Sequence, residues 1–147
     1  MTQHLFKTAE KAHQGTTFAL DDIKQALKPN RDGLIPAIAQ QQDTGEVLMM
    51  AWMNTTALDE TLATGRVCYW SRSRQKLWRK GESSGQVQML KEMRIDCDGD
   101  TLLLLVDQTG PACHTGRKSC FFHHIHDGHS EIATAPIIDP ETLYDGK

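Results

Sequence analysis

The chain has 147 residues, 16 basic and 19 acidic side chains and a formal net charge of -3, a length that fits one domain and buries roughly two-thirds of the unfolded surface without disulfide staples. That balance offers no electrostatic ground for a nucleic acid or an anionic membrane as partner. No run of about 18 apolar residues marks a membrane span and the N-terminus lacks the apolar centre of a signal peptide, so the expectation is a cytoplasmic protein.

In chain order, Leu20, Ile23, Ala26 and Leu27 recur at helical spacing and the pattern stops at Pro29 to Gly33, which predicts an N-terminal helix. Two apolar runs, Leu34 to Ala39 and Val47 to Met53, flank the polar turn QQDTGE and predict a β-hairpin. Asn54 stands as N-cap before TTALDETLATG, whose Ala57, Leu58, Leu62 and Ala63 share one helical face and whose Gly65 is a natural stop. RVCYWSRSRQKLW and VQMLKEMRID read as strands, and TLLLLVDQ as a short, wholly apolar strand of the fully buried kind. After Gly110 periodicity fades, and the last twenty residues read as a strand and a loosely held tail. The sum is an α+β single domain, mostly antiparallel β with a few helices.

Three groups of residues point to chemistry. Cys97, Cys113 and Cys120, with 15 and 6 residues between them, offer three thiolates to one zinc, the ligand count of a catalytic site with an open position. No CxxC pair occurs, and the spacing alone leaves open the alternative of buried, unpaired thiols. Cys68, within RVCYW, reads as a small core residue. On a strand, Asp96, Asp98 and Asp100 would share one face and Cys97 the other. Such an oxygen-rich set suits a hard cation such as Mg²⁺, against the alternative of a solvated acidic turn; an EF-hand is excluded because the glycine falls at the wrong loop position.

Arg72, Arg74, Lys76, Arg79 and Lys80 form a basic cluster interleaved with Ser71, Ser73, Ser83 and Ser84. Arginine pairs and a Ser-Ser-Gly turn provide the donors that phosphate recognition needs; the alternative is an ordinary charged strand face. Trp52, Trp70 and Trp78 read as core or interface residues. His114 adjoins Cys113, where a base beside a metal-bound water has a use. His124 and His126 share a strand face and form a weaker rival metal site.

Taken together, GLIPAIAQ, TGEVLMMAWMN, YWSRSRQKLWRKGESSG, DCDGDTLLLLV and ACHTGRKSCF resemble the phosphoribosyl-AMP cyclohydrolase family of histidine biosynthesis, in order, from Gly33 to Phe122. Two positions depart from the family pattern: Gln41 where Asp commonly follows Gln, and Gln86 where Asn commonly follows Ser-Gly. By this resemblance residues 1–32 are expected to form an N-terminal helical extension, 33–125 the catalytic domain and 126–147 a C-terminal tail.

The resemblance implies a zinc- and magnesium-dependent hydrolase that opens the adenine ring of phosphoribosyl-AMP at N1–C6. Its zinc would be held by Cys97 of one subunit with Cys113 and Cys120 of the other, in an intertwined homodimer with interfacial active sites. Mg²⁺ would be held by Asp96, Asp98 and Asp100. Arg72, Arg74, Ser83 and Ser84 are the expected contacts to the small phosphorylated nucleotide, and His114 the expected proton acceptor or shuttle. Three thiolates on Zn²⁺ leave a net charge of about -1, which weakens its power to acidify water relative to a site with three neutral histidines. The alternatives are a zinc-stabilised dimeric binding module without catalysis and a nucleobase deaminase, whose HxE and PCxxC signature does not occur.

Overall fold

Residues 4–143 are described by a computed structural model. The helices are α1 (Leu5–Ala9), α2 (Leu20–Ala26), α3 (Thr55–Thr64) and α4 (Pro140–Leu143); the strands are β1 (Ile35–Gln41), β2 (Val47–Met53), β3 (Cys68–Ser71), β4 (Lys76–Arg79), β5 (Gln88–Ile95), β6 (Leu102–Gln108), β7 (His123–His126) and β8 (His129–Ile132). Six strands form one sheet in the order β4-β3-β2-β1-β6-β5, and β7-β8 form a separate hairpin. Every pairing is antiparallel except β1 with β6. The start of β5 returns towards the segment before β3, with Val67 N–H donating to Gln88 O and Leu90 N–H to Gly65 O, so the sheet curls towards closure and protects its edges.

The hairpin expected around QQDTGE forms, with Ala37 opposite Ala51 and Gly45 at φ 80°. The helix expected after Asn54 also forms. The Asn54 carboxamide oxygen accepts from Ala57 N–H at 2.8 Å, and Gly65, at φ 78°, closes the helix in the left-handed conformation that glycine adopts without a Cβ penalty. Thr61 ties α3 to the sheet, accepting from Cys68 N–H at 2.9 Å while donating to Ala57 O. Ala37, Ala39, Leu48, Met53, Val67, Tyr69, Leu102, Leu104 and Val106 are essentially inaccessible and form the core with Ala57 and Leu58 of α3. Each large apolar side chain among them contributes about 1.5–3 kcal/mol by burial.

Several expectations change. RVCYWSRSRQKLW is not one strand but the hairpin β3-β4, closed by a turn over residues 72–75. Gln75 adopts φ 53° there, and the Ser71 hydroxyl accepts from Arg74 N–H at 3.2 Å. TLLLLVDQ is buried on one face only: Leu102, Leu104 and Val106 are covered while Leu103 and Leu105 are half-buried. The residues after 126 are not simply a loose tail. After the β7-β8 hairpin the chain returns over the cysteine loop, where Ile137 N–H donates to Gly116 O at 2.9 Å and Arg117 Nε to Thr134 O at 2.8 Å.

Candidate functional site

Asp96, Asp98 and Asp100 do converge, with one carboxylate oxygen of each within 4.8 Å of the others, but a turn brings them together and not strand alternation. β5 ends at Ile95, which faces Leu102 of β6, and Gly99 reverses the chain at φ 78°. Asp96 Oδ1 accepts from Asp100 N–H at 3.0 Å and Thr101 N–H at 3.3 Å. Desolvation raises the Asp96 pKa, but hydrogen bonds from Asp100 and Thr101 outweigh it and hold the group below the usual carboxylate range; hydrogen bonding to Asp96 and repulsion from Asp96 and Asp98 raise Asp100. Three exposed hard oxygen donors gathered within 4.8 Å of one another fit a cation of the Mg²⁺ type.

The N-terminal extension reaches this turn. Lys28 N–H donates to Gly99 O at 2.8 Å, and the Phe6 ring of α1, itself buried, packs over Gly99. Cys97 is exposed and lines a groove with Phe6, Ile23, Met93 and Ile95.

Cys113 and Cys120 lie elsewhere. Cys120 N–H donates to Leu48 O at 2.7 Å, at the start of β2, and the Cys113–Gly116 turn is closed by Gly116 N–H to Cys113 O. Cys113 and Cys120 are close enough to act on one another electrostatically, and Thr115 Oγ1 donates to Cys113 Sγ at 3.1 Å. Burial, together with Cys113, pushes the Cys120 thiol up to about 12, with Lys80 pulling the other way. Two thiols gathered on one loop and shielded from water are the donor type that a zinc site takes up as thiolates.

Among the described residues, no single-chain cluster joins Cys97 to this pair. Leu102, at the base of the acid turn, is two strands across from β2 through Ala37 and Ala51, a step of about 10 Å before any displacement along the strands. The donor types thus fit zinc, with one chain offering two ligands in one place and the third in another. His114 follows Cys113 and is exposed.

The basic cluster is divided. Arg79 is held by Glu60 in a two-point pair at 2.7 and 2.8 Å. Lys80 is 6 % exposed, and its Nζ donates to Ala112 O at 2.7 Å; burial lowers its pKa while Cys120 and Cys113 act to raise it. Arg72 and Arg74 occupy the β3-β4 turn, where the Arg72 guanidinium lies 4.8 Å from the Trp52 ring centre. Trp52, Trp70 and Trp78 line an open groove with Ser71, Ser73, Arg72 and Arg74, which places cations and aromatic faces together.

Ser83 and Ser84 sit in the loop after β4, at the opposite end of that strand from Arg72. Gln108 Nε2 donates to Gln86 O at 3.0 Å and ties this loop to the β6 end. Gln86 donates to Ser84 O within the loop. Gln41 bonds Asp107 and accepts from Gln108 N–H, so both departures from the family pattern have structural partners. His126 bonds Glu131 and Asp127 on the exposed β7-β8 hairpin, outside any three-ligand cluster among the described residues. Cys68 is fully buried and pushed up to about 11, chiefly by desolvation. The aromatic groove and the buried Lys80 went unrecognised in the sequence; the interleaving of Trp70 and Trp78 with arginines was the available signal for the first.

The profile of the phosphoribosyl-AMP cyclohydrolase family matches residues 49–122. The phosphoribosyl-AMP cyclohydrolase of Hydrogenovibrio crunogenus is 68 % identical over 145 residues, covering 98 % of this chain and 99 % of that protein. Those of Alkalilimnicola ehrlichii and Chromohalobacter salexigens are 67 % identical over 140 residues (95 % and 99 % covered) and 65 % identical over 144 residues (98 % and 98 % covered).

Proposed function

The chain belongs to the phosphoribosyl-AMP cyclohydrolase family, and from that premise we propose that it is the cyclohydrolase of histidine biosynthesis, a zinc- and magnesium-dependent hydrolase acting as an intertwined homodimer. Water adds to C6 of the N1-substituted, cationic adenine ring, the N1–C6 bond breaks, and C6 becomes the carboxamide carbon of the formimino-AICAR ribotide (ProFAR) product. The observation that carries this reading is the division of the cysteines: Cys113, buried, and Cys120, half-buried, share one loop, while Cys97 is exposed on the acid turn. A second copy supplying Cys97 completes a three-thiolate site, and Leu103, Leu105 and the exposed Phe121 leave apolar surface for such a partner to cover.

Cys113 and Cys120 with the partner's Cys97 would hold zinc, and Asp96, Asp98 and Asp100 would hold Mg²⁺. Zinc, when bound, supplies Lewis acidity that makes water nucleophilic near neutral pH. His114 accepts or relays the proton that the attacking water loses, from its exposed position beside Cys113. Arg72 and Arg74 bind phosphate oxygens, with the tryptophan faces of the groove alongside the nucleotide. Ser83 and Ser84 contact a second phosphate or the ribose from the loop tied to the end of β6.

An ultraviolet assay of phosphoribosyl-AMP consumption by the purified protein, before and after zinc removal and with Mg²⁺ varied, tests the activity; no ring-opened product under any condition overturns it. Mixing tests the shared site. Cys97→Ser and Cys113→Ser are each inactive alone, whereas after co-refolding, random pairing makes half the dimers mixed, each with one intact site, and restores about a quarter of wild-type activity. No recovery in verified mixed dimers rules out ligands drawn from two chains.

A further inference from the structure

Lys80 carries a charge into the interior with little to receive it. Its side chain is 6 % exposed, it donates to one neutral acceptor, Ala112 O, and its Nζ lies 5.6 Å from the Trp78 ring centre. Among the described residues it has no carboxylate within ion-pair distance, although the adjacent Arg79 is matched to Glu60. An ammonium taken from water without a counter-ion is costly, so such groups are found paired. The carbonyl that Lys80 binds directly precedes Cys113, and Cys120 and Cys113 act on the ammonium electrostatically. On the other side, three thiolates around Zn²⁺ have one negative charge too many. The two imbalances are opposite in sign, and the Ala112 carbonyl joins Lys80 to the loop that carries Cys113.

We propose that Lys80 is the built-in counter-charge of the zinc centre, a positioning residue whose ammonium balances the excess negative charge of the thiolate set. This rests on the reading of Cys113 and Cys120 as zinc ligands. It explains why the cation is buried at the end of β4 and anchored to the carbonyl that precedes Cys113. It also answers the weakness of a three-thiolate site: with Lys80 beside it, the centre as a whole is close to neutral. The same ammonium is a burden to the metal-free protein, where the Ala112 carbonyl is its one hydrogen-bond partner among the described residues.

The test uses the full-length protein as wild type and as Lys80→Gln, Lys80→Met and Lys80→Arg, with zinc affinity measured by competition against a chromophoric chelator and melting temperature measured with and without zinc. Glutamine keeps a donor for Ala112 O but not the charge; arginine keeps the charge. Loss of a group supporting metal ligands weakens binding about 10–100-fold, and that is expected for Lys80→Gln and Lys80→Met, with Lys80→Arg recovering most of it. The Co²⁺-loaded forms should show a shifted thiolate-to-metal absorption in the neutral variants only. The metal-free melting temperature of Lys80→Met should be unchanged or higher, opposite to its zinc-loaded one. Wild-type zinc affinity in both neutral variants, or lowered stability of the metal-free and zinc-loaded states alike, overturns the proposal and makes Lys80 a loop tether. A wild-type protein that binds no zinc overturns the ligand reading and the counter-charge with it, so the two failures are distinguishable.

Discussion

The acid turn at Asp96–Asp100 and the thiol loop at Cys113–Cys120 both present candidate ligands from short irregular segments, yet they are built in contrasting ways. The acid turn is exposed, and apart from the support of Lys28 and Phe6 it is organised by its own backbone: Asp96 accepts from Asp100 and Thr101, and Gly99 makes the reversal. The thiol loop is held from several sides, by Leu48 of β2, Lys80 at the end of β4 and the returning chain at Ile137 and Ile138. The difference suits the two metals proposed for these sites. Hard carboxylates and Mg²⁺ stay partly hydrated and need only proximity, whereas thiolates shed water and need a shaped, charge-balanced interior.

The largest expected effect separates the two directly. Cys113→Ser should abolish zinc retention through gel filtration and lower activity more than about 100-fold, beyond the 10–100-fold typical of supporting residues. Asp98→Asn should keep its zinc, require about tenfold or more Mg²⁺ for half-maximal rate, and regain most of its turnover when Mg²⁺ is raised. Metal analysis alongside the rate assay checks both. Zinc loss from Asp98→Asn would show that the two regions are a single unit.

How much of this was legible depended on sequence distance. The acidic triad and the Cys113–Cys120 pair are local, so their grouping could be read, although the turn that produces the first was mistaken for strand alternation because Gly99 decides the geometry. The basic cluster misled for a related reason. Gln75 takes a left-handed conformation that no β-turn glycine announced, and the arginines assigned to a strand face sit in the hairpin turn. Lys80 was grouped with the basic cluster offered for phosphate recognition because nothing near it in sequence reveals Ala112, 32 residues away, or the thiols beyond it. The α+β class was legible throughout, since Asn54, Gly65 and the alternating apolar runs act locally. The parallel pairing of β1 with β6 depends on everything between them.

The next effect concerns the glycines that shape each loop. Gly116 and Gly99 have φ of 84° and 78°, so alanine costs about 1 kcal/mol of backbone strain at either. At Gly116 the added Cβ meets the Ile138 backbone carbonyl, fixed while Ile137 and Ile138 N–H bond Gly116 O; at Gly99 it meets the Phe6 ring, a side chain that can turn aside. Gly116→Ala should therefore lose about 3 kcal/mol and Gly99→Ala about 1–2 kcal/mol in urea denaturation, given the range for strained and overpacked sites. Equal losses would mean that the thiol loop is no more constrained than the acid turn.

The smallest effect tests whether the N-terminal extension belongs to the acid turn. Phe6 is buried against Gly99, and Lys28 N–H bonds Gly99 O. Phe6→Ala should loosen α1 at a cost below the 3–5 kcal/mol of a full core truncation, raise the Mg²⁺ needed for half-maximal rate a few-fold and leave zinc content unchanged. The double variant Phe6→Ala with Gly99→Ala is the sharper measurement. If the ring is what the new Cβ strikes, its removal leaves Gly99→Ala with backbone strain alone, and the pair falls short of additivity by about 1 kcal/mol, within the range for residues in contact. Strict additivity would place Phe6 away from the turn in solution, and the acid side would then be held by its own backbone and Lys28.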